Sequence, residues 1–112
     1  MRFAPSHEWA SLEGEVATVG LSSFARKELG EIVHVELPKV GQLLHAGDVV
    51  CLLESNKSAS EVYTPLSGRV LSIHERLRDH PELLNKWEEE VWLFTLKVSD
   101  LSEYDQLLSH EI

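Results

Sequence analysis

The side chains able to do chemistry in this chain are few, and the most conspicuous is a lysine set in a polar stretch, Glu54-Ser55-Asn56-Lys57-Ser58-Ala59-Ser60-Glu61. An ammonium is strongly hydrated and almost never fully buried, so by itself the stretch describes a solvated surface lysine. The remaining candidates converge on no reaction. His7-Glu8 begins a zinc-protease pattern, but Ser11 stands where the second histidine is needed. His34, His45, His74, His80 and His110 lack tight ligand spacing, which predicts isolated structural or surface roles. Cys51, the single cysteine, can form no internal disulfide and sits in an apolar run, as a small buried hydrophobe does. No nucleophile with a paired base, metal cluster or phosphate-binding glycine loop is present, which disfavours a hydrolase or another enzyme.

What positions Lys57 is the pair of runs around it. Asp48-Val49-Val50-Cys51-Leu52-Leu53 precedes the polar stretch and Val62-Tyr63-Thr64-Pro65 follows it, so the lysine is predicted near the tip of a hairpin. Upstream, His7 to Leu12 and Val16 to Leu21 flank Glu13-Gly14-Glu15 and read as a first hairpin. Ser22 to Gly30 has a capping serine, basic residues in its last turn and a closing glycine, which predicts a helix of about two turns. Phe24 and Leu29 are expected to face the core. Strand alternation over Glu31 to Leu37 puts Val33, Val35 and Leu37 on one face and His34 and Glu36 on the other. Val40 to Asp48 reads as a short strand closed by a turn. Further on, Arg69 to His74 and Val91 to Val98 are strands, and Pro81 opens a single helical turn running to Asn85. Asp100 with Glu103 marks the start of a terminal helix expected from about Leu101 to Leu108.

A faint repeat joins these elements. Gly30 is followed by a strand and, 19 residues after the glycine, by the run from Val49; Gly68 is followed by a strand and, 23 residues on, by the run from Val91. Each half is a strand, an excursion and a returning strand. Two such halves face to face predict a mostly β fold, a flattened antiparallel sandwich or barrel around one core, with Lys57 in the link between them.

Length and composition are consistent with that. A chain of 112 residues, 43% hydrophobic and 26% charged, fits one globular domain over 1–112. The formal charge of −9 would repel a phosphate backbone and argues against nucleic acid as a partner. No apolar run approaches the roughly 20 residues of a membrane span, and Met1 to Ser6 lacks a signal-peptide core. The expectation is no membrane and a cytoplasmic chain, or the mature form of an organellar one.

Taken in order, these motifs resemble the H protein of the glycine cleavage system. The resemblance takes in His7-Glu8-Trp9, the run from Val16 to Leu21, Leu29-Gly30, Glu31 through Pro38, and Val40-Gly41. It continues through Glu54 to Gly68, Pro81-Glu82-Leu83-Leu84-Asn85, Trp92-Leu93 and Ser99-Asp100. It implies a lipoyl/biotinyl-type hybrid of two half-motifs whose Lys57 carries lipoate as an amide, with no catalytic group of the chain's own. It implies as partners a pyridoxal-phosphate glycine decarboxylase (P protein), a folate-dependent aminomethyltransferase (T protein) and a flavin dihydrolipoamide dehydrogenase (L protein). A lipoate ligase or lipoyl/octanoyl transferase would attach the arm, and Glu54 and Gly41, three and sixteen residues before Lys57, are where recognition by it is expected. A biotin carrier typically flanks its lysine with methionines, and the only methionine here is Met1.

The chain also departs from the family. Asn56 replaces a small or aliphatic residue, His34 an aromatic one, and Asn85 to Val91 lacks the usual proline and glycine while containing Glu88-Glu89-Glu90. Those departures leave two alternatives beside the glycine cleavage carrier: an H-like relay that hands lipoate to other enzymes, and an interaction module of the same fold that carries none.

Overall fold

The computed structural model describes residues 1–88 and 90–111. It opens with β1 (Arg2–Phe3), β2 (Glu8–Glu13) and β3 (Val16–Leu21), the last two forming the expected hairpin in register from Glu8↔Leu21 to Glu13↔Val16. Helix α1 (Ser23–Leu29) starts where Ser22 Oγ accepts the Ala25 N–H at 3.2 Å, and it ends where the Gly30 N–H donates to Lys27 O. Then come β4 (Ile32–Glu36), β5 (Leu43–Leu44), β6 (Val49–Ser55), β7 (Ala59–Tyr63) and β8 (Gly68–Ile73). A helical turn α2 (Arg76–Asp79), a 3-10 turn (Pro81–Asn85) begun by its proline, β9 (Trp92–Val98) and α3 (Ser102–Asp105) complete the chain.

All strand pairs are antiparallel, in two sheets. Six strands lie in the order β1-β2-β3-β9-β8-β5 and three in the order β4-β6-β7. One apolar core fills the space between them, with Ala10, Ala17, Val19, Val70, Phe94 and Leu96 from the larger sheet and Val35, Leu53 and Val62 from the smaller. Burying a side chain such as Phe94 or Leu53 contributes roughly 1.5–3 kcal/mol each, and this interior holds the sheets face to face. The sheets do not close on each other, so the fold is a sandwich and not a barrel.

The two half-motifs are real in space: β4 pairs with β6 in the small sheet and β8 with β9 in the large one. Each half also carries a bulge at the same offset from its glycine. Ile32 and His34 span one step of β6, leaving Val33 extra, and Val70 and Ser72 span one step of β9, leaving Leu71 extra. The glycines themselves serve different ends. At Gly68 a Cβ would sit against the Lys97 carbonyl, so the residue allows β8 to approach β9.

Three sequence expectations need correction. Val33 does not share the buried face of Val35; it is 52% exposed, because the bulge inserts it and breaks the alternation. Phe24 does not enter the core, being 51% exposed, and the buried side chain of α1 is Arg26, which donates to the carbonyls of Leu21, Leu84 and Lys86. The terminal helix is a single turn and does not reach Leu108. Instead Leu108 exchanges backbone hydrogen bonds with Phe3, and Glu103 spends its carboxylate on the Ser67 N–H and hydroxyl, each at 2.8 Å.

Candidate functional site

Lys57 lies where the sequence places it, in the exposed loop between β6 and β7. The last ladder pair below it is Glu54↔Ala59, and the Ser55 N–H donates to Ser58 O at 2.7 Å. The tip is shaped by one hydroxyl. Ser55 Oγ accepts the N–H groups of Lys57 (3.1 Å) and Ser58 (3.0 Å) and lies 3.2 Å from the Ser58 carbonyl, to which it donates. This side-chain turn orders a loop with no apolar anchor of its own. The neighbouring Asn56 N–H donates to Glu31 O at 3.0 Å, tying the tip to the entry of β4.

The lysine stem runs across Gly30. A Cβ at Gly30 would lie 2.8 Å from Lys57 Cε, and the glycine has φ +86, a conformation that side chains rarely adopt. Absence of a side chain there serves both the end of α1 and the path of the lysine.

Beside the hairpin, between β7 and α1, opens a cleft of about 340 Å³. Its walls are Phe24, Ala25 and Leu29 on one side and Ser60, Glu61 and Tyr63 on the other. Its floor holds Glu8, a carboxylate only 2% exposed, which accepts the Tyr63 N–H at 3.0 Å and the Ser6 hydroxyl. Glu28 adds a further acid to the lining, and Tyr63 OH donates to Glu61 at 3.2 Å, a bond that raises the phenol's pKa. His7 holds a positive φ of 76, with its ring 5.1 Å from that of Phe24 and Nδ1 3.2 Å from the Glu111 carboxylate. The result is an apolar slot with three carboxylates, suited to a small cationic group on an apolar tether.

Of the other sequence candidates, Glu54 belongs to this region and Gly41 does not. Glu54 sits on β6 just below the tip. Gly41 lies on the loop before β5, its N–H donating to Val70 O, and it has φ +90 with nothing within 4 Å of the place a Cβ would take, so its backbone conformation is what requires glycine. Cys51 is 2% exposed, and burial pushes its thiol up to about 12. The departing segment divides. Asn85 Oδ1 accepts the Ile32 N–H at 2.8 Å, opposite Ser55 and beside the hairpin tip, whereas Trp87, Glu88 and Glu90 line a separate hollow with Trp9, Ser22 and Arg26. Glu89 lies outside the described residues.

The cleft itself went unread in the sequence. Its signal was available in α1, where Ala25 and Leu29, four residues apart, pack towards the core, which leaves Phe24 and Glu28, also four apart, together on the flank.

The profile of the glycine cleavage H-protein family matches residues 1–112. The chain belongs to that family. A glycine cleavage system H protein of Thermotoga maritima is 44% identical over 111 residues, 98% of this chain and 90% of that one. The H protein of Alcanivorax borkumensis is 48% identical over 110 residues, 97% of this chain and 86% of its own. The crystal structure of an H protein from Mycobacterium marinum superposes with a TM-score of 0.80 at 26% identity, covering 95% of this chain and 87% of that one. H-protein similarity thus extends through the hairpin, the cleft and the departing segment alike. Among the described residues no helix is long and apolar enough to cross a membrane.

Proposed function

We propose that this chain is a lipoylated carrier of the glycine cleavage system, with Lys57 as the attachment point. The observation that carries the reading is the lysine's setting: an exposed amine on a tip ordered by Ser55, beside a cleft that is apolar along its wall and acidic at its floor. The site fits the group in two respects. Acylation of Nζ needs solvent access and removes a positive charge, and both are tolerated where the ammonium is not buried in an ion pair. The bound lipoate would supply the sulfur chemistry that takes up the aminomethyl group of glycine and later gives it up.

The chain's own residues then bind, orient and shelter. Ser55 and the Asn56–Glu31 backbone bond keep the arm's root in one place, and Gly30 leaves room for its stem. Phe24, Ala25 and Leu29 exclude water from whatever the arm brings back, while Glu8, Glu28 and Glu61 complement a protonated amine. No side chain here acts as nucleophile, acid or base; the chain is a carrier and not a catalyst. Glycine decarboxylase, aminomethyltransferase and dihydrolipoamide dehydrogenase would be served in turn, the tether raising the local concentration of the reactive end at each. A lipoate ligase or lipoyl/octanoyl transferase would read the hairpin, with Glu54 on its surface. Gly41 would contribute to recognition through the backbone turn that its positive φ permits.

Of the segment after Asn85, the described residues Trp87, Glu88 and Glu90 share a hollow with Ser22, Ser23 and Arg26 at the start of α1, and none of them lines the cleft with Phe24, Ala25 and Glu28. The glycine cleavage reading is therefore preferred to the relay. Intact mass of the chain from cells with active lipoylation tests attachment: one lipoyl adduct is expected, and none on the Lys57→Arg variant. An unmodified wild-type chain, or an adduct that survives the substitution, overturns the proposal. Incubation of the lipoylated chain with glycine and decarboxylase separates the two carriers, since only the first forms aminomethyl-loaded protein.

A further inference from the structure

The outer face of the three-stranded sheet carries a second constellation. His34 and Glu54 stand directly opposite one another on β4 and β6, and Glu36 follows His34 by two residues on the same strand. The bulge at Val33 brings them together. With strict alternation His34 and Glu36 would point inward with Ile32, but the extra residue turns both outward and leaves Val35 in the core. One ligand atom from each of the three then lies within 4.8 Å of the other two, and His34 Nε2 is 3.8 Å from a Glu36 oxygen. Among the described residues this is the one such gathering of His, Cys, Asp or Glu. Arg78 shares the hollow beside His34 and Glu36, but its guanidinium pairs with Glu75 at 3.6 Å.

We propose that His34, Glu36 and Glu54 form a surface site for a divalent transition-metal ion of the zinc class. Ligands on a tetrahedral zinc at about 2.0–2.2 Å are about 3.3–3.6 Å from each other, so the three atoms need to close by only about 0.2–1.5 Å. Small torsional adjustments of three exposed side chains supply that without moving a strand. One imidazole with two carboxylates favours zinc, nickel or copper over magnesium or calcium, which take oxygen ligands. Three protein ligands leave a position for water, and the ion offsets the two carboxylates that now face each other across the strands. The site lies one strand residue below the hairpin tip but does not depend on what Lys57 carries.

The test uses the unmodified full chain, stripped of metal, titrated with zinc by calorimetry and followed by histidine side-chain NMR. One equivalent bound in the micromolar range is expected, with the His34 ring resonances shifting and those of His45 unmoved. Loss of an outer-shell partner costs about 10–100-fold in metal affinity, so His34→Phe, which removes a ligand, should weaken binding by at least about 100-fold. Glu54→Gln should weaken it too, while His45→Ala leaves it unchanged. Thermal melts establish that each variant is folded, and the wild-type NMR shifts stand without any variant. Absence of saturable binding below millimolar zinc overturns the proposal, as does one-site binding that survives His34→Phe or shifts another histidine instead.

Discussion

Replacing Ser55 by alanine should loosen the hairpin tip without loosening the protein. The hydroxyl accepts the Lys57 and Ser58 N–H groups at 3.1 and 3.0 Å and donates to Ser58 O at 3.2 Å, while the Ser55 N–H bond to the same carbonyl does not involve the side chain. All three side-chain bonds are exposed, so water takes over the freed groups and each contributes at the low end of about 0.5–1.5 kcal/mol. Together they favour the closed turn by roughly 1–2 kcal/mol, which at 1.4 kcal/mol per decade is about a 5–30-fold change in local opening. The assay is amide hydrogen exchange in the Ser55→Ala variant. The Lys57 and Ser58 amides should exchange about 5–30-fold faster, while those of Leu53 and Val62 in the β6–β7 ladder and the melting temperature stay put. Lipoylation should slow in the same variant, since the ligase must then select the closed form. Exchange at Lys57 and Ser58 that rises less than about twofold, or that rises equally along both strands, would refute the claim that one hydroxyl orders the tip.

Two further predictions concern titrating groups. Lys97 bonds Glu15 at 2.7 Å across the β3–β9 pair and holds its carboxyl below the ordinary value of 4.5. A depressed carboxylate stabilises the fold at pH values above its unfolded pKa and loses that contribution as acid carries the pH down through the folded pKa. An NMR titration should place the Glu15 midpoint below 4.5 and Lys97→Met should return it towards that value; a midpoint unmoved by the substitution removes the pair as cause. The Cys51 thiol, buried and raised to about 12, should resist alkylation at pH 8 in the folded chain and react promptly in denaturant. Fast labelling of the folded chain would mean that β6 opens.

The sequence was legible where one physical rule acted alone. Ser22 and Gly30 bracket α1 because capping is local, and the runs on either side of the polar stretch pair into a hairpin because their β-branched residues are bounded by turn formers. It misled where a second interaction overruled the first. The bulge at Val33 cannot be seen in the alternation of Glu31 to Leu37, since it depends on how β6 lies alongside. Asp100 and Glu103 have the spacing of a helix start, yet Glu103 is captured by Ser67, far away in sequence, and Leu108 by Phe3. The position of Lys57 at a hairpin tip was legible through its flanks. The cleft was not, because Ser6, Glu8, Phe24 and Tyr63 come from separate parts of the chain that meet only once it has folded.

Glu8 joins the hairpin to the cleft, as the proposed carrier site requires. It sits on β2 of the larger sheet, and its carboxylate accepts the backbone N–H of Tyr63 at the end of β7, the free edge of the smaller sheet. An edge strand presents unpaired N–H groups, and a buried carboxylate satisfies one of them while fixing the distance between the sheets at that point. The same group must be held against its own desolvation, and the Ser6 hydroxyl on its other oxygen does so, with His7 bent to positive φ so that the chain can turn between Ser6 and β2. The floor of the cleft is thus also the joint between the sheets. The β6–β7 hairpin that carries Lys57 is therefore anchored through Tyr63 to the buried acid of the cleft, which a carboxylate on a mobile loop would not provide.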